Sequence, residues 1–314
     1  MMKFSIVITT YNRLSLFIRA LDSALAQSDR CEVIVVDDCS SDGTEAYIRN
    51  LDQKVNYWRN LENLGHSASV NIGVKIAQGD WIKLLDDDDY LASNCIEVMK
   101  WAIEQHYEAV ICSCQAAQVA IDGREKSRTS QPGPGRVFYI PQADIHYGML
   151  LGEVPFGTTS QVAFRKDAFT KSGGWDVRLD VCDEIDAWIR IAQFGDAIFI
   201  NSCLAYRLLW SGGLNQKHSI PERLKVNILM KEKIYDLVDE KHRAVIPAMQ
   251  DIQNYLKLHW LFVAIKKKEI SLPLCYITFP ALLSLNAWKL VLFPRLFRNQ
   301  RKFANQNIRK VILI

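Results

Sequence analysis

Four short runs of apolar, largely β-branched residues constrain this chain more than any other feature: FSIVITT (4–10), CEVIVVDD (31–38), WIKLL (81–85) and AVICSC (109–114). Each is the length of a strand, and each is apolar on both of its faces. Between them lie segments with helical spacing, such as 13–26 with Leu14, Phe17, Ile18, Leu21 and Leu25. Further helices are expected over 44–50, 67–77 and 93–105, and a further strand over VNYWRN (55–60). Strands that must be covered on both faces, separated by amphipathic helices, predict βαβ units and a mostly parallel sheet with flanking helices. Ligands of such sheets bind beyond the carboxyl ends of the strands. Three polar clusters fall at those ends, Thr9–Asn12, Asp37–Ser41 and Asp86–Asp89, so they are expected to line one cleft.

At 314 residues there is room for one large domain and an appendage. Residues 122–142 are rich in Gly, Pro, Ser and charge and read as a loop or a crossing between two halves, 1–115 and 116–215. A helix is expected near 142–151, a strand over SQVAF (160–164), a turn at Gly173-Gly174, a helix from about 183 to 194 and a strand near 197–200. Beyond Pro221 the pattern is helical and basic, which makes 216–314 a separate region.

Charge is distributed unevenly. Of the net +3, residues 261–314 carry +9 (ten bases, one acid), so the remainder carries −6. The totals point to no nucleic-acid partner. Within the basic region, 272–297 is strongly apolar but broken by Pro273, Pro280 and Pro294 and holds Lys289, too interrupted for a spanning helix. With Lys266–Lys268, Arg295, Arg298, Arg301 and Lys302 at its flanks, it suits a segment lying on an anionic membrane surface. A tail packed on the domain, or on a second copy in a homodimer, accounts for it equally well. The eight cysteines form no CxxC pair and no zinc-spaced cluster, as expected of free thiols in a reducing compartment. MMKFSIVITTYNR has one basic residue, an apolar run too short for a signal peptide and polar residues at once, so a cytoplasmic enzyme is expected, peripheral on the membrane if the tail binds there.

The acidic run LLDDDDY (84–90) carries the chemistry. Four consecutive carboxylates after a buried strand repel one another unless a cation sits among them. A hard divalent cation, Mn2+ or Mg2+, held by one or two carboxylates and substrate phosphates, meets that need. Asp86 and Asp88 share one side of an extended chain. An exposed acidic turn before a helix, capped by Asp89 or Ser93, would look similar. At the other strand ends, TTYNR (9–13) offers hydroxyl, amide and aromatic groups, and VVDDCS (35–40) offers paired acids. A carboxylate there can accept the imide N–H of uracil while Tyr11 stacks on the base; a capping turn at Ser40, Asp42 and Gly43 is the plainer account. No GxGxxG, P-loop, HExxH or GxSxG motif occurs.

In order along the chain stand VITTYNR, VIVVDDCSSDGT, NLGHSASVNIGVKIAQGDWIKLLDDDD and GGWDVRLDVCDEIDAWIR. With these four elements the sequence, from about Lys3 to Leu209, resembles the family 2 glycosyltransferases of the GT-A fold. The resemblance implies inverting transfer of a sugar from a nucleotide-diphosphate donor, UDP-linked by preference, to a carbohydrate or lipid-linked acceptor, as in cell-surface polysaccharide synthesis. It also implies roles. Thr9, Tyr11 and Asp38 would hold the nucleoside; Asn12, Arg13, Asn63, Gly65, Asn71 and Asp87 would complete the donor-binding set. Asp86 and Asp88 form the DxD element, with Asp88 the direct metal ligand. Relatives usually read Glu-Asp where this chain reads Asp183-Glu184, so Glu184 takes the position of the catalytic base and Asp183 is the alternative. Val70 stands where many relatives have Arg. Gly173, Gly174 and Trp175 would shape the acceptor side, or simply pack. The QxxRW element of processive synthases is absent, which fits one transfer per acceptor. A sugar-nucleotide nucleotidyltransferase and a non-catalytic nucleotide-binding relative are the rival readings. Release of pyrophosphate would mark the first, and absence of any donor turnover the second.

Overall fold

The computed structural model describes residues 2–51, 55–179, 181–210, 219–292 and 308–314. In chain order the elements are β1 (Phe4–Thr10), α1 (Leu14–Leu25), β2 (Glu32–Asp37), α2 (Thr44–Arg49), β3 (Asn56–Arg59), α3 (His66–Ile76), β4 (Trp81–Asp86), β5 (Tyr90–Leu91), α4 (Cys95–Glu104) and β6 (Ala109–Val119). There follow β7 (Glu125–Arg128), β8 (Val137–Ile140), α5 (Gln142–Leu151), a 3-10 turn (Thr159–Gln161), β9 (Val162–Arg165), α6 (Lys166–Lys171), α7 (Asp183–Ile191) and β10 (Asp196–Leu208). The remainder is α8 (Ile220–Asp236), α9 (Glu240–Arg243), α10 (Met249–Lys267), α11 (Leu272–Leu282), α12 (Leu285–Leu292) and β11 (Val311–Ile312).

The fold is α/β, as expected. One sheet runs β11-β8-β10-β6-β9-β4-β1-β2-β3, with β5 and β7 paired off its path. Its first half is parallel throughout: β1 pairs with β2 and β4, and β2 with β3. Both faces of this half are covered. Phe17, Ala20, Leu21 and Ala24 of α1 are buried among the side chains of β1 and α4. On the other face, α3 lies so close that a Cβ on Gly73 would stand 2.3 Å from Val7 Cγ1.

Beyond β4 the sheet is mixed, because β9 enters antiparallel between β4 and β6. The loop expected over 122–142 contains β7 and β8. β7 is the wholly exposed EKSR, with no apolar alternation to announce it, and it exists through its pairing with β6. The strand expected at 197–200 continues to Leu208; register shifts around Cys203 interrupt its alternation, and the sequence pattern breaks there too.

The chain divides into two compact units, one of residues 1–142, 156–211 and 310–314, the other of 143–155 and 212–309. The boundary expected between 215 and 216 lies outside the described residues, as do Pro294, Arg295, Arg298, Arg301 and Lys302. The first unit holds the sheet, including β11, so the end of the chain is not purely helical. In the second unit, α8 begins at a capping box of Ser219 and Glu222 with Pro221 in its first turn. There the buried Asp144 carboxylate meets Lys241 Nζ at 2.6 Å and His242 Nε2 at 2.8 Å and accepts the Arg309 N–H, tying three segments together. Among the described residues no single helix is long and apolar enough to cross a membrane.

Candidate active site

The register of the parallel strands sets the site. Thr9 pairs with Val36 on one side and Asp86 on the other, and Asp37 pairs with Thr10 and Arg59. The ends of β1, β2, β3 and β4 are therefore level, and the three polar clusters come together. Backbone conformation marks the same place. Among the described residues, four other than glycine have positive φ, and three of them border this site: Asn12 (52°), Cys39 (69°) and Cys182 (59°). Such conformations persist where surrounding contacts enforce them.

The acidic run after β4 does not act as a unit. Asp87 turns inward, where its carboxylate accepts from Thr10 Oγ1 (3.0 Å) and Arg13 Nη1 (2.9 Å). Burial pushes it up to about 6, against the pull of Arg13. Asp89 is buried too and accepts the Leu208 N–H at 3.0 Å; burial, with the charges of Asp86 and Asp88, raises it. Asp86 and Asp88 remain partly open. The Thr159 hydroxyl donates to Asp86 Oδ2, and Trp210 Nε1 donates to Asp88 Oδ2 at 2.8 Å. Buried Lys83 clamps the Thr159–Gln161 turn in place by donating to the carbonyls of Leu84 and Ser160.

Asp86, Asp88 and Asp89 each present an oxygen within 4.8 Å of the others. Arg13 Nη1 lies 3.6 Å from Asp88, and burial followed by the Asp86 charge raises Asp88. An all-oxygen set of mutually repelling carboxylates suits a hard divalent cation, so the residues fit the metal expected here.

Across the site stand Asp183 and Glu184 in the first turn of α7. Asp183 Oδ2 accepts from Trp175 Nε1 (2.7 Å) and Ser67 Oγ (3.0 Å) and lies 3.2 Å from His66 Nδ1. Burial alone would raise this carboxyl, but the His66 bond and charge, with Trp175, hold it well below the usual carboxylate range. Glu184 has the opposite fate. Burial and then the neighbouring Asp183 charge push it up to about 7. His66 spans the site, with Nε2 3.8 Å from Asp86 Oδ1. Burial would lower His66; the bond to Asp183 and the charge of Asp86 outweigh it and raise the ring to about 9.

At the end of β1, Tyr11 is 45% exposed. Asp38 is buried, and its carboxylate accepts from Asn60 Nδ2, Leu64 N and Gly65 N, each at 2.8 Å. Three donors leave one of its roughly four acceptor positions for a ligand. Gly65, at φ 87°, starts α3 in a conformation that favours glycine.

Several expected donor contacts are engaged with the protein itself. Asn12 Oδ1 accepts from Ser41 N, and Asn63 Oδ1 from Gly65 N. Asn71 uses both amide atoms on the Trp175 backbone and braces the Gly174-Trp175 turn. Arg13 and Asp87 neutralise each other. Of the helix residues, Trp188 is core, and Arg190 donates from Nε to Asp186 at 2.7 Å and from Nη1 to Ser172 O. His66, Ser67, Thr159 and Trp210 were not singled out from sequence. His66 and Ser67 sit inside the motif NLGHSAS, which was the available signal; Thr159 and Trp210 arrive from distant loops.

The model of glycosyl transferase family 2 matches residues 5–173. A glycosyltransferase of Haemophilus influenzae, itself uncharacterised, is 28% identical over 191 residues, 60% of this chain and 62% of its own length. The GalNAc(5)-diNAcBac-PP-undecaprenol beta-1,3-glucosyltransferase of Campylobacter jejuni is 33% identical over 119 residues, 36% of this chain and 38% of that one. The chain thus matches less than two thirds of the length of these relatives. Among solved structures, S. aureus TarS 1–349 in complex with UDP-GlcNAc has the same fold, with a TM-score of 0.66 at 18% identity over 89% of this chain and 79% of that one. With more than half of its length matched, including every strand end that builds the acidic site, the chain belongs to the family 2 glycosyltransferases.

Proposed function

We propose that this chain moves a sugar from a nucleotide-diphosphate donor, a UDP-sugar by preference, to a hydroxyl of a carbohydrate or lipid-linked acceptor, with inversion. The observation that carries the reading is geometric: His66 lies 3.2 Å from Asp183 and 3.8 Å from Asp86, which sets the first turn of α7, with Asp183 and its neighbour Glu184, across from the acidic strand end. Burial, then the Asp183 charge, raises Glu184 to about 7. A base with its pKa near the working pH removes a proton well, a contribution of roughly 10²–10⁴-fold.

Glu184 takes the proton of the acceptor hydroxyl as its oxygen bonds to the anomeric carbon. The bond from that carbon to the diphosphate breaks on the opposite side, and its electron pair leaves with the nucleoside diphosphate. Asp88 and Asp86 are the residues that would hold a divalent cation, Mn2+ or Mg2+, which when bound neutralises charge on the diphosphate. Tyr11 and the remaining acceptor position of Asp38 suit a stacked pyrimidine with an imide N–H, with Thr9 at the same strand end. The solved relative in complex with UDP-GlcNAc supports a UDP-sugar. The Campylobacter relative, named for transfer to an undecaprenol-linked glycan, supports a lipid-linked acceptor.

The test is product identity. With Mn2+ and a panel of UDP-sugars, slow hydrolysis or transfer should release UDP. Release of pyrophosphate from UTP and a sugar phosphate would mark a nucleotidyltransferase, and binding without any turnover a non-catalytic relative.

A further inference from the structure

In α11 and at the start of α12 the large apolar side chains face outward, the wrong way for a helix packed into a protein. A water-facing helix buries its apolar stripe and turns polar residues outward. Here α11 buries Leu274, Thr278 and Ala281, the last two small, and Thr278 satisfies its hydroxyl on the Leu274 carbonyl. The large apolar residues point away: Leu272 is 88% exposed, Tyr276 85%, Phe279 62% and Leu283 76%, and Leu285 continues the surface into α12 at 78%. At roughly 150–250 Å2 for a whole aromatic side chain, Tyr276 and Phe279 alone expose on the order of 300 Å2. That already matches the largest apolar patch of an ordinary monomer, about 300–600 Å2.

The surface is built rather than frayed. Ser271 caps α11, with Pro273 in its first turn. Ala281 and Ala287 pack with Leu258 of α10, the Trp288 indole donates to Leu282 O at 2.8 Å, and Asn286 Nδ2 reaches Asp251. The two axes meet at 102°.

We infer that this face docks on an anionic lipid surface and lies in the headgroup region. Neither helix is long enough to cross alone, and the 102° bend keeps the pair from forming one straight span. Helices of 11 and 8 residues are about 16 and 12 Å long at 1.5 Å per residue, against roughly 30 Å of hydrocarbon. Charge selects the partner. Exposed Lys266, Lys267 and Lys268, followed by the single exposed acid Glu269, lead into α11, Lys289 lies on α12, and neither helix contains an acid. A second copy would bring like charge to like charge around an apolar centre, whereas acidic headgroups complement it. Apolar surfaces flanked by bases bind by apolar burial together with attraction to anionic lipid. The inference is independent of the transfer reaction.

The experiment is co-sedimentation of the full chain with vesicles of phosphatidylcholine alone or of equal parts phosphatidylcholine and phosphatidylglycerol. Binding to the anionic vesicles is expected at low salt, weakening as salt rises. The variant Tyr276→Ser/Phe279→Ser/Leu283→Ser should bind on the order of tenfold or more weakly, with its circular dichroism and thermal midpoint unchanged because the three positions are exposed. Lys266→Gln/Lys267→Gln/Lys268→Gln should lose up to about fivefold per lysine and most of the salt dependence. The inference is overturned if the wild type ignores anionic vesicles or if both variants bind as it does. It also fails if alkaline carbonate cannot extract the bound protein, or if the apolar variant instead dissociates a dimer that binds no vesicles.

Discussion

His66 Nδ1 lies 3.2 Å from Asp183 Oδ2, and the other nitrogen of the same ring faces Asp86 across 3.8 Å. One imidazole thereby joins the first turn of α7 to the end of β4. The bond holds Asp183 ionised, and ionised Asp183 holds the Glu184 proton more tightly. Three groups are set by two contacts.

This arrangement predicts a split between neighbours. Glu184→Gln should cut turnover by roughly 10²-fold or more while leaving metal-dependent nucleotide binding nearly intact, because it keeps shape but accepts no proton. The wild-type rate should fall as pH drops below about 7, since the base works unprotonated and Glu184 gains its proton there. Asp183→Asn removes the adjacent charge, so its rate profile should shift to lower pH. Should Asp183→Asn abolish turnover while Glu184→Gln remains active, Asp183 is the base.

Asp88→Asn should weaken Mn2+-dependent UDP binding and abolish transfer together, as titration calorimetry and product assays would show. Asp89→Asn should behave differently. Its raised pKa means the folded protein favours the protonated form, so ionisation costs stability as pH rises from the unfolded value toward the folded one. The amide still accepts the Leu208 N–H, and the metal-free thermal midpoint at neutral pH should rise.

Tyr11→Ala should weaken nucleotide binding by about 1–3 kcal/mol, the usual worth of base–aromatic stacking. In Mn2+, calorimetry should rank UDP first and dTDP second. A clear preference for GDP would contradict the reading of Asp38.

Gly73→Ala tests the support of the site rather than its chemistry. The new methyl would stand 2.3 Å from Val7 Cγ1 and 3.2 Å from Val36 Cγ2. Separating α3 from β1 and β2 should cost roughly 1–3 kcal/mol, read as a lower denaturation midpoint, although Gly73 touches none of the reacting groups.

What the sequence determined by itself is the local frame. Apolar runs at 4–10, 31–38 and 81–85 had to be buried strands, the helical spacing between them required crossovers, and a parallel half with polar clusters at its strand ends follows from those two facts; the register that makes those ends level does not. Ordered motifs carried the family and nominated Asp86, Asp88 and Glu184. Tertiary structure decided the rest, because neither pairing nor proton affinity is a property of a short window. β7 is polar and exists only by pairing with β6, and β10 continues through bulges that erase its period. The resemblance placed Asn71 and Asp87 in the donor-binding set, and only the fold shows their protein partners, the Trp175 backbone for Asn71 and Thr10 with Arg13 for Asp87. Asp183 and Glu184 are adjacent acids with opposite shifts: His66, 117 residues away, lies at hydrogen-bond distance from Asp183 and holds it low, while burial and the Asp183 charge raise Glu184.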